Sequence, residues 1–157
     1  MEKAPDLTQM FLYDKFPIWY EYCHETQAIT LADVILSGEP YPIKALYGVG
    51  MNFKMYPQTD KLVKALDQID FFVNTDLFMT YTSKFADIVL PCCSSLERGE
   101  FKVYPGGYGV YPKPVIQPLY ESKSDTDILC ELARYMELDD PLLLEGYEAS
   151  VDYIMQG

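Results

Sequence analysis

The sequence predicts an α/β fold in three layers, with a parallel β-sheet between helices on both faces. Three observations between Ile43 and Pro91 lead to this prediction. An apolar run ends at a Gly-Val-Gly turn, an amphipathic helix follows, and two continuous apolar runs of strand length come after it. Such runs are typical of strands buried on both faces, and right-handed connections would make these strands parallel neighbours.

The first predicted strand covers Ala45 to Tyr47 and ends at Gly48 and Gly50. Glycine allows a positive φ and close backbone approach where a strand turns sharply toward a helix. Thr59 is predicted to cap the crossover helix, whose apolar side chains recur at helical spacing: Leu62, Val63, Leu66 and Ile69. The second and third strands are predicted at 71–73 and 88–90.

The chain is predicted to have two parts, an N-terminal aromatic arm over 1–27 and the α/β domain over 28–157. The arm carries large apolar side chains without a helical or strand period: Phe11, Leu12, Tyr13, Phe16, Ile18, Trp19, Tyr20 and Tyr22. Two interpretations stay open. The arm packs on the core of its own domain, or it forms a surface that faces another part of a larger protein.

The remaining elements follow from caps and composition. Thr30 is predicted to cap a short helix ending before Gly38. A Gly/Pro/Tyr-rich irregular segment after the third core strand holds short strands at 101–104 and 109–111. Ser124 and Asp127 form a capping box at the start of another helix, and a last helix is predicted over 147–154.

Charge and composition exclude several classes of function. Twenty-four acidic against twelve basic side chains give a net charge of -12, which repels nucleic acid and anionic membrane surfaces. No apolar run approaches the roughly 20 residues that span a bilayer, so we expect a soluble chain without direct membrane insertion, either cytoplasmic or exported. The four cysteines form no Cys-x-x-Cys pair, and His24 is the only histidine, which argues against a metal site or a serine triad.

The loops after the three strands share one edge of the predicted sheet, where α/β folds bind ligands. Gly50 belongs to a Gly-Val-Gly turn that is only a fragment of a dinucleotide fingerprint. Asn52 offers a donor and acceptors to a base edge or a ribose, or else it forms a turn. Thr75 and Asp76 end the second strand, and the carboxylate can accept hydrogen bonds from ribose hydroxyls or from guanine.

Two further residues of the later loops are candidates. Arg98 can hold a phosphate or stack on a base, although a lone arginine is more often in a surface ion pair. Asp125 lies in the first turn of a helix, a position that the helix dipole already favours for a carboxylate. Asp87 precedes the third strand at the opposite edge and is predicted to be structural.

These residues carry a family likeness. The order IKALYGVGMN, helix, DFFVNTDLFMTYTSKFADIVLP, LERGE and ESKSDTDILCELARYM resembles the molybdopterin oxidoreductase family of the dimethyl sulfoxide reductase type, over about residues 30 to 137. The most specific part is the run D-x-F-x-T-x-T-x-x-x-A-D-I-V-L-P from Asp76 to Pro91. The resemblance implies a Rossmann-like domain excised from a large multidomain enzyme.

The resemblance also implies a role. The domain would grip the guanosine end of a molybdopterin guanine dinucleotide, whose molybdenum or tungsten is held elsewhere in the parent enzyme. By motif, Asn52 matches the asparagine of a Gly-x-Asn-Pro loop, with Phe53 in place of the proline. Thr75 and Asp76 match a Ser/Asp pair, Arg98 falls where relatives often have lysine, and Asp125 matches a Lys-Ser-Asp helix start.

The implied partners are the remaining domains of the parent catalytic subunit and an iron-sulfur electron-transfer subunit. The isolated fragment is expected to be inactive as an oxidoreductase. One departure is the segment YPGGYGVY over 104–111, where relatives often have Asn-x-Glu-Arg-Arg. Two alternatives stay open at this point, a free-standing nucleotide- or flavin-binding module and a protein-interaction domain.

Overall fold

The computed structural model describes residues 15–23 and 25–156. Six helices and five strands have these bounds: α1 Pro17–Cys23, α2 Leu31–Ser37, β1 Ala45–Val49, α3 Thr59–Leu66, β2 Phe71–Asp76, β3 Ile88–Pro91, β4 Lys102–Tyr104, β5 Tyr108–Val110, α4 Asp125–Tyr135, α5 Pro141–Glu145 and α6 Tyr147–Met155. Two 3-10 helices at the sheet, Phe53–Met55 and Thr82–Phe85, follow β1 and β2.

The three-stranded sheet has the order β1-β2-β3, and both strand pairs are parallel. The predicted α/β fold with parallel neighbouring strands is therefore confirmed. Helix α3 forms the crossover between β1 and β2, whereas a loop with a 3-10 helix joins β2 to β3. Beyond β3, Cys92 forms an isolated parallel bridge with Lys123, which lies directly before the start of α4.

The core lies where α2 and α3 meet one face of the sheet. Its buried side chains are Ala32 and Ile35 from α2, Leu62, Ala65 and Leu66 from α3, Phe72 from β2 and Phe53 from the turn after β1. Alternation along a strand places Leu46 and Phe72 on this face, since they are register partners. The amphipathic pattern of α3 therefore predicts correctly that this helix packs on the sheet.

The expectation that the strands are buried on both faces is wrong. Phe71 is 43% exposed and Ile88 is 45% exposed, and both lie on the face away from α2 and α3. A continuous apolar run does not reveal what covers each face, so it overstates burial where one face is only partly covered. Helices on both faces of the sheet stay a prediction.

The prediction that Thr59 caps α3 is wrong, and Thr30 is confirmed as the N-cap residue of α2 but makes no side-chain cap hydrogen bond. The hydroxyl of Thr59 donates to the carbonyls of Tyr56 and Phe53, and Gln58 precedes the helix without a side-chain cap. Thr30 stands at the N-cap of α2, but its hydroxyl donates to Gln27 O at 2.7 Å. A threonine near a helix start can bond either forward or backward, and the sequence does not decide which.

The other predicted elements are confirmed. Ser124 Oγ accepts a hydrogen bond from Asp127 N at 3.1 Å at the start of α4. Strands β4 and β5 form an antiparallel hairpin, and α6 lies where the last helix was expected. The sequence missed α5 and the helical part of the arm, α1. In α1, Ile18 and Tyr22 are exposed, while residues 1–14 of the arm lie outside the described residues.

Candidate functional site

The carboxyl ends of the three strands and the start of α4 meet at one edge of the sheet. Gly50 N donates to Thr75 O at 2.8 Å, and Cys92 N donates to Asp76 O at 3.2 Å. Cys93 N then donates to Lys123 O at 2.8 Å, one residue before the capping box of α4. Five of the six predicted site residues, all except Arg98, therefore lie on or beside a continuous hydrogen-bonded edge, and Arg98 is joined to it through Asp125.

Glycine is needed at the two positions of the turn, Gly48 and Gly50, for different physical reasons. Gly50 has φ +58° and open space where a Cβ would stand, so it supplies the backbone conformation. A Cβ on Gly48 would lie 2.8 Å from Asn74 Oδ1 and 3.3 Å from Phe72 Cε2. Gly48 is therefore required by close approach to a buried side chain.

Asp76 ends the central strand and is only partly buried. Its Oδ1 accepts from Phe78 N at 3.4 Å, and its Oδ2 accepts from the Thr80 hydroxyl at 3.3 Å. A carboxylate oxygen has more than one acceptor position, so each oxygen keeps capacity for a ligand donor. Asp76 is thus an oriented and accessible acceptor at the middle of the edge.

Thr75 has a different place from its neighbour. Its side chain is 0% exposed, and its hydroxyl shares a 2.9 Å hydrogen bond with Tyr47 OH across β1 and β2. The structure thus gives Thr75 a buried, supporting position on the sheet face away from α2 and α3, where its hydrogen bond ties β2 to β1 directly before Asp76.

Asn52 is exposed and forms the turn after β1. Its Oδ1 accepts from Lys54 N at 3.1 Å and caps the 3-10 helix that contains Phe53. Phe53 N in turn donates to the hydroxyl of buried Thr82 at 2.9 Å. The turn-forming role is therefore present, and the amide NH₂ group is what Asn52 offers to a ligand.

Arg98 and Asp125 contact each other. The Arg98 guanidinium forms an ion pair with the Asp125 carboxylate. A second carboxylate, that of Glu100, has its Oε1 4.0 Å from Arg98 Nη2. Partial burial alone would lower the pKa of Arg98, but the hydrogen bond and charge of Asp125, together with Glu100, raise it overall. Arg98 Nε is buried without a hydrogen-bond partner. The pair links the loop after β3 to the first turn of α4.

Glu97, in the LERGE segment, holds that loop in shape. Its carboxylate accepts from Ser94 N at 2.8 Å, from the Ser94 hydroxyl at 2.6 Å and from Leu119 N at 2.7 Å. These hydrogen bonds, those from Ser94 first, lower the pKa of Glu97, so it stays ionised. It joins two loops directly beside Arg98.

Cys92 lies among the charges of this edge. Partial burial raises the pKa of its thiol, the carboxylates of Asp125 and Asp76 raise it further, and Arg98 opposes them. The thiol is therefore protonated at neutral pH and is a poor nucleophile.

We expect the alkylation of Cys92 by iodoacetamide to be slow at pH 8 and to rise with pH beyond the range of an ordinary thiol, about pH 8.5. Asp125→Asn removes the larger of the two carboxylate effects, so the pKa falls and the rate at pH 8 increases about two- to tenfold, a tenfold change per pKa unit. Peptide mass spectrometry measures the rate at Cys92 alone. Asp67→Asn at the end of α3 is the control. A rate in the unmodified chain that levels off below about pH 8.5 would contradict the raised pKa.

Two concavities lie away from the sheet edge. One of about 640 Å³ is lined by Leu36 and the start of α3, and one of about 200 Å³ lies around the start of α2. Neither contains a predicted site residue. The site is therefore assigned by chemistry and topology, as an open face at the strand ends.

Within residues 15–23 and 25–156, no three or more Cys, Asp, Glu or His side chains come together as a metal site. In the same part of the chain, no helix has both the length and the hydropathy to cross a membrane.

The chain is an α/β domain with a parallel sheet, and acceptor and charged side chains gather after its strand ends, the edge at which such folds commonly bind ligands. The chain belongs to the molybdopterin oxidoreductase family, whose sequence model matches residues 21–135. The resemblance inferred from the motifs is thereby confirmed.

Two curated relatives and one solved structure show the extent of this similarity. Dopamine dehydroxylase of Eggerthella lenta is 34% identical over 127 residues, which are 78% of this chain and 12% of that protein. Trimethylamine-N-oxide reductase of Haemophilus influenzae is 42% identical over 100 residues, 60% of this chain and 12% of that protein. Acetylene hydratase from Pelobacter acetylenicus superposes with a TM-score of 0.63 at 32% identity, over 73% of this chain and 17% of that one. The chain thus spans about one eighth of the curated relatives.

Sequence reasoning missed the polar residues that support the site. Asn74, Thr82 and Ser83 are buried, and Thr80 contacts Asp76 directly. The hydroxyl-rich run from 80 to 83 lies within the family motif, where it indicated the family but no structural role for its side chains. Polar residues directly after a buried strand were the signal that could have identified them.

Proposed function

We propose that this chain is a Rossmann-like domain that binds the guanosine part of a molybdopterin guanine dinucleotide. The observation that carries the proposal is Asp76, an oriented carboxylate at the end of the central strand. Guanine presents a ring N–H and an amino group side by side, and a carboxylate can accept from both. The family supports a molybdopterin cofactor, and the hydrogen-bond acceptors of this edge suit its nucleotide end.

The charges of the edge also favour the guanosine end. Asp76 and Asp125 both act on Cys92, whereas Arg98 is the cation that opposes them and is already paired with Asp125. Carboxylates suit the N–H and O–H donors of a base and a ribose, and they repel phosphate. Asn52 and the backbone at Gly50 complete this surface, while the buried Thr75 supports it through its hydrogen bond to Tyr47.

The chain's own part is to bind and orient; the cofactor, with molybdenum or tungsten, supplies two-electron redox chemistry when bound in the parent enzyme. We propose that the remaining domains of the parent catalytic subunit cover this edge, since Leu77, Phe78 and Met79 are exposed beside Asp76. An iron-sulfur subunit would supply electrons to the parent. The fragment alone is expected not to turn over substrate.

A nucleotide titration of the 157-residue chain tests the proposal. In ¹⁵N NMR spectra, GMP should shift the amides of Gly50, Asn52 and Asp76, with weak affinity because half of the dinucleotide contacts are absent. Asp76→Asn should weaken binding about ten- to hundredfold, the usual worth of hydrogen bonds to a charged group. AMP lacks the paired ring N–H and amino donors and should bind much more weakly.

Asp60→Asn, on the exposed first turn of α3, is the matched control and should bind GMP as the unmodified chain does. Equal shifts with GMP and AMP, or shifts confined to α4, would count against guanosine recognition. Tight binding of NAD or FMN would instead favour the alternative of a free-standing nucleotide- or flavin-binding module.

A further inference from the structure

A chain of three polar side chains runs from the protein interior to Asp76. Asn74 Nδ2 donates to Ser83 Oγ at 3.0 Å, Ser83 Oγ lies 2.9 Å from Thr80 Oγ1, and Thr80 Oγ1 donates to Asp76 Oδ2 at 3.3 Å. The chain links the buried part of β2 to the carboxylate at its exposed end.

The direction of each hydrogen bond follows from its last member. A carboxylate only accepts, so the Thr80 hydroxyl proton points to Asp76. Thr80 Oγ1 also accepts from Ser83 N at 3.2 Å, and it is the nearer of two acceptors for the Ser83 hydroxyl, at 2.9 Å against 3.4 Å for Phe78 O. The Asn74 amide donates to Ser83 in turn. When the Ser83 hydroxyl donates to the nearer acceptor, Thr80, all three donors point toward Asp76, an arrangement in which successive hydrogen bonds strengthen one another.

The interior end of this chain is fixed by burial. Asn74 is 0% exposed and Ser83 is 2% exposed, so neither can exchange its partner for bulk water. Thr80 and Asp76 are only partly buried, and they take their orientation from that end. The second carboxylate oxygen accepts from Phe78 N, which leaves the Asp76 side chain held at both oxygens.

We propose that Thr80, Ser83 and Asn74 are positioning residues that hold the Asp76 carboxylate in one rotamer before the nucleotide arrives. This inference rests on the proposed function, because the benefit is to ligand binding at Asp76. A side chain that is ordered in advance loses less conformational freedom when the ligand binds. Thr80, a threonine of the family motif, acquires a physical role in this way.

Thr80→Val tests the proposal, since it removes the hydroxyl and keeps the branched shape. Three-bond N–Cγ and C′–Cγ couplings report the χ1 rotamer of Asp76 without any ligand. We expect one rotamer in the unmodified chain and averaged couplings in Thr80→Val, with GMP affinity about three- to tenfold weaker, the usual cost of immobilising one side chain. Thr80→Ser should restore both values. Thr30→Val, which removes a hydroxyl remote from this edge, is the control.

Each outcome decides between a positioning role and a merely structural one. Thr80→Val that lowers the urea midpoint but leaves Asp76 in one rotamer would overturn the inference. So would averaged couplings without a change in GMP affinity. If the unmodified chain and Asp76→Asn bind GMP equally poorly, the proposed function fails, and the couplings still determine whether Thr80 orients Asp76.

Discussion

Phe53→Ala should lower the free energy of unfolding by about 3–5 kcal/mol, the usual cost of truncating a buried phenylalanine. Phe53 is 0% exposed and lies in the core between the sheet and α3. Its ring stacks on Phe72 with centroids 6.0 Å apart and contacts Tyr56 and Phe85 at 6.4 and 6.3 Å. Removing it leaves a cavity that three aromatic rings cannot fill together.

Urea denaturation followed by circular dichroism measures this loss. Because small domains are stable by only about 5–15 kcal/mol, we expect a large fall in the midpoint at a similar slope. Phe78→Ala is the matched control, since Phe78 is 75% exposed at the same edge and should change stability by less than about 0.5 kcal/mol. Equal losses in the two variants would refute the central position of Phe53.

The position of Phe53 also explains a departure from the family pattern. The resemblance predicts a proline after Asn52, but Phe53 N donates to Thr82 Oγ1, and a proline has no N–H to donate. Here the residue anchors the Asn52 turn by a hydrogen bond and by core packing together. The turn that carries a proposed ligand residue is therefore coupled to the stability of the domain.

Local patterns predicted the parts of the fold that depend on local chemistry. The period of α3, the two apolar runs and the Ser124 capping box act within a few residues, so the crossover, the parallel strands and α4 were all recognisable. The burial of each face of the sheet was not recognisable, because the exposure of Phe71 and Ile88 depends on which other chain segments cover them.

The sequence predicted which residues lie at the candidate site, but not the ion pair and hydrogen bonds that join them. Asp76 and Asn52 follow strands, so topology alone places them at one edge. That Arg98 pairs with Asp125, 27 residues later, depends on the bridge between Cys92 and Lys123, which no spacing reveals. The hydrogen bonds that join Asn74, Ser83 and Thr80 behind Asp76 were equally unpredictable, although the polar residues themselves could be recognised.

Gly48→Ala is the second change with a large expected effect, and it probes that network from the other side. The new Cβ would lie 2.8 Å from Asn74 Oδ1, closer than real Cβ contacts allow, and 3.3 Å from Met51 Cβ and Phe72 Cε2. Asn74 is fully buried and cannot move aside without straining its hydrogen bond to Ser83. We expect a loss of about 1–3 kcal/mol, the usual cost of overpacking.

A double-mutant cycle with Asn74→Ala separates the clash from the other contacts. Asn74→Ala alone loses the hydrogen bond to Ser83, but it also removes a buried acceptor, Oδ1, that has no partner. If the clash dominates, Gly48→Ala should cost clearly less in the Asn74→Ala background, with a coupling of at least about 0.5 kcal/mol in urea denaturation. Gly50→Ala serves as the control, because its strain comes from φ +58° in open space and should be the same in both backgrounds. Identical costs of Gly48→Ala with and without Asn74 would show that the cost comes from the contacts with Met51 and Phe72, and that the packing of Asn74 against β1 does not set the geometry behind Asp76.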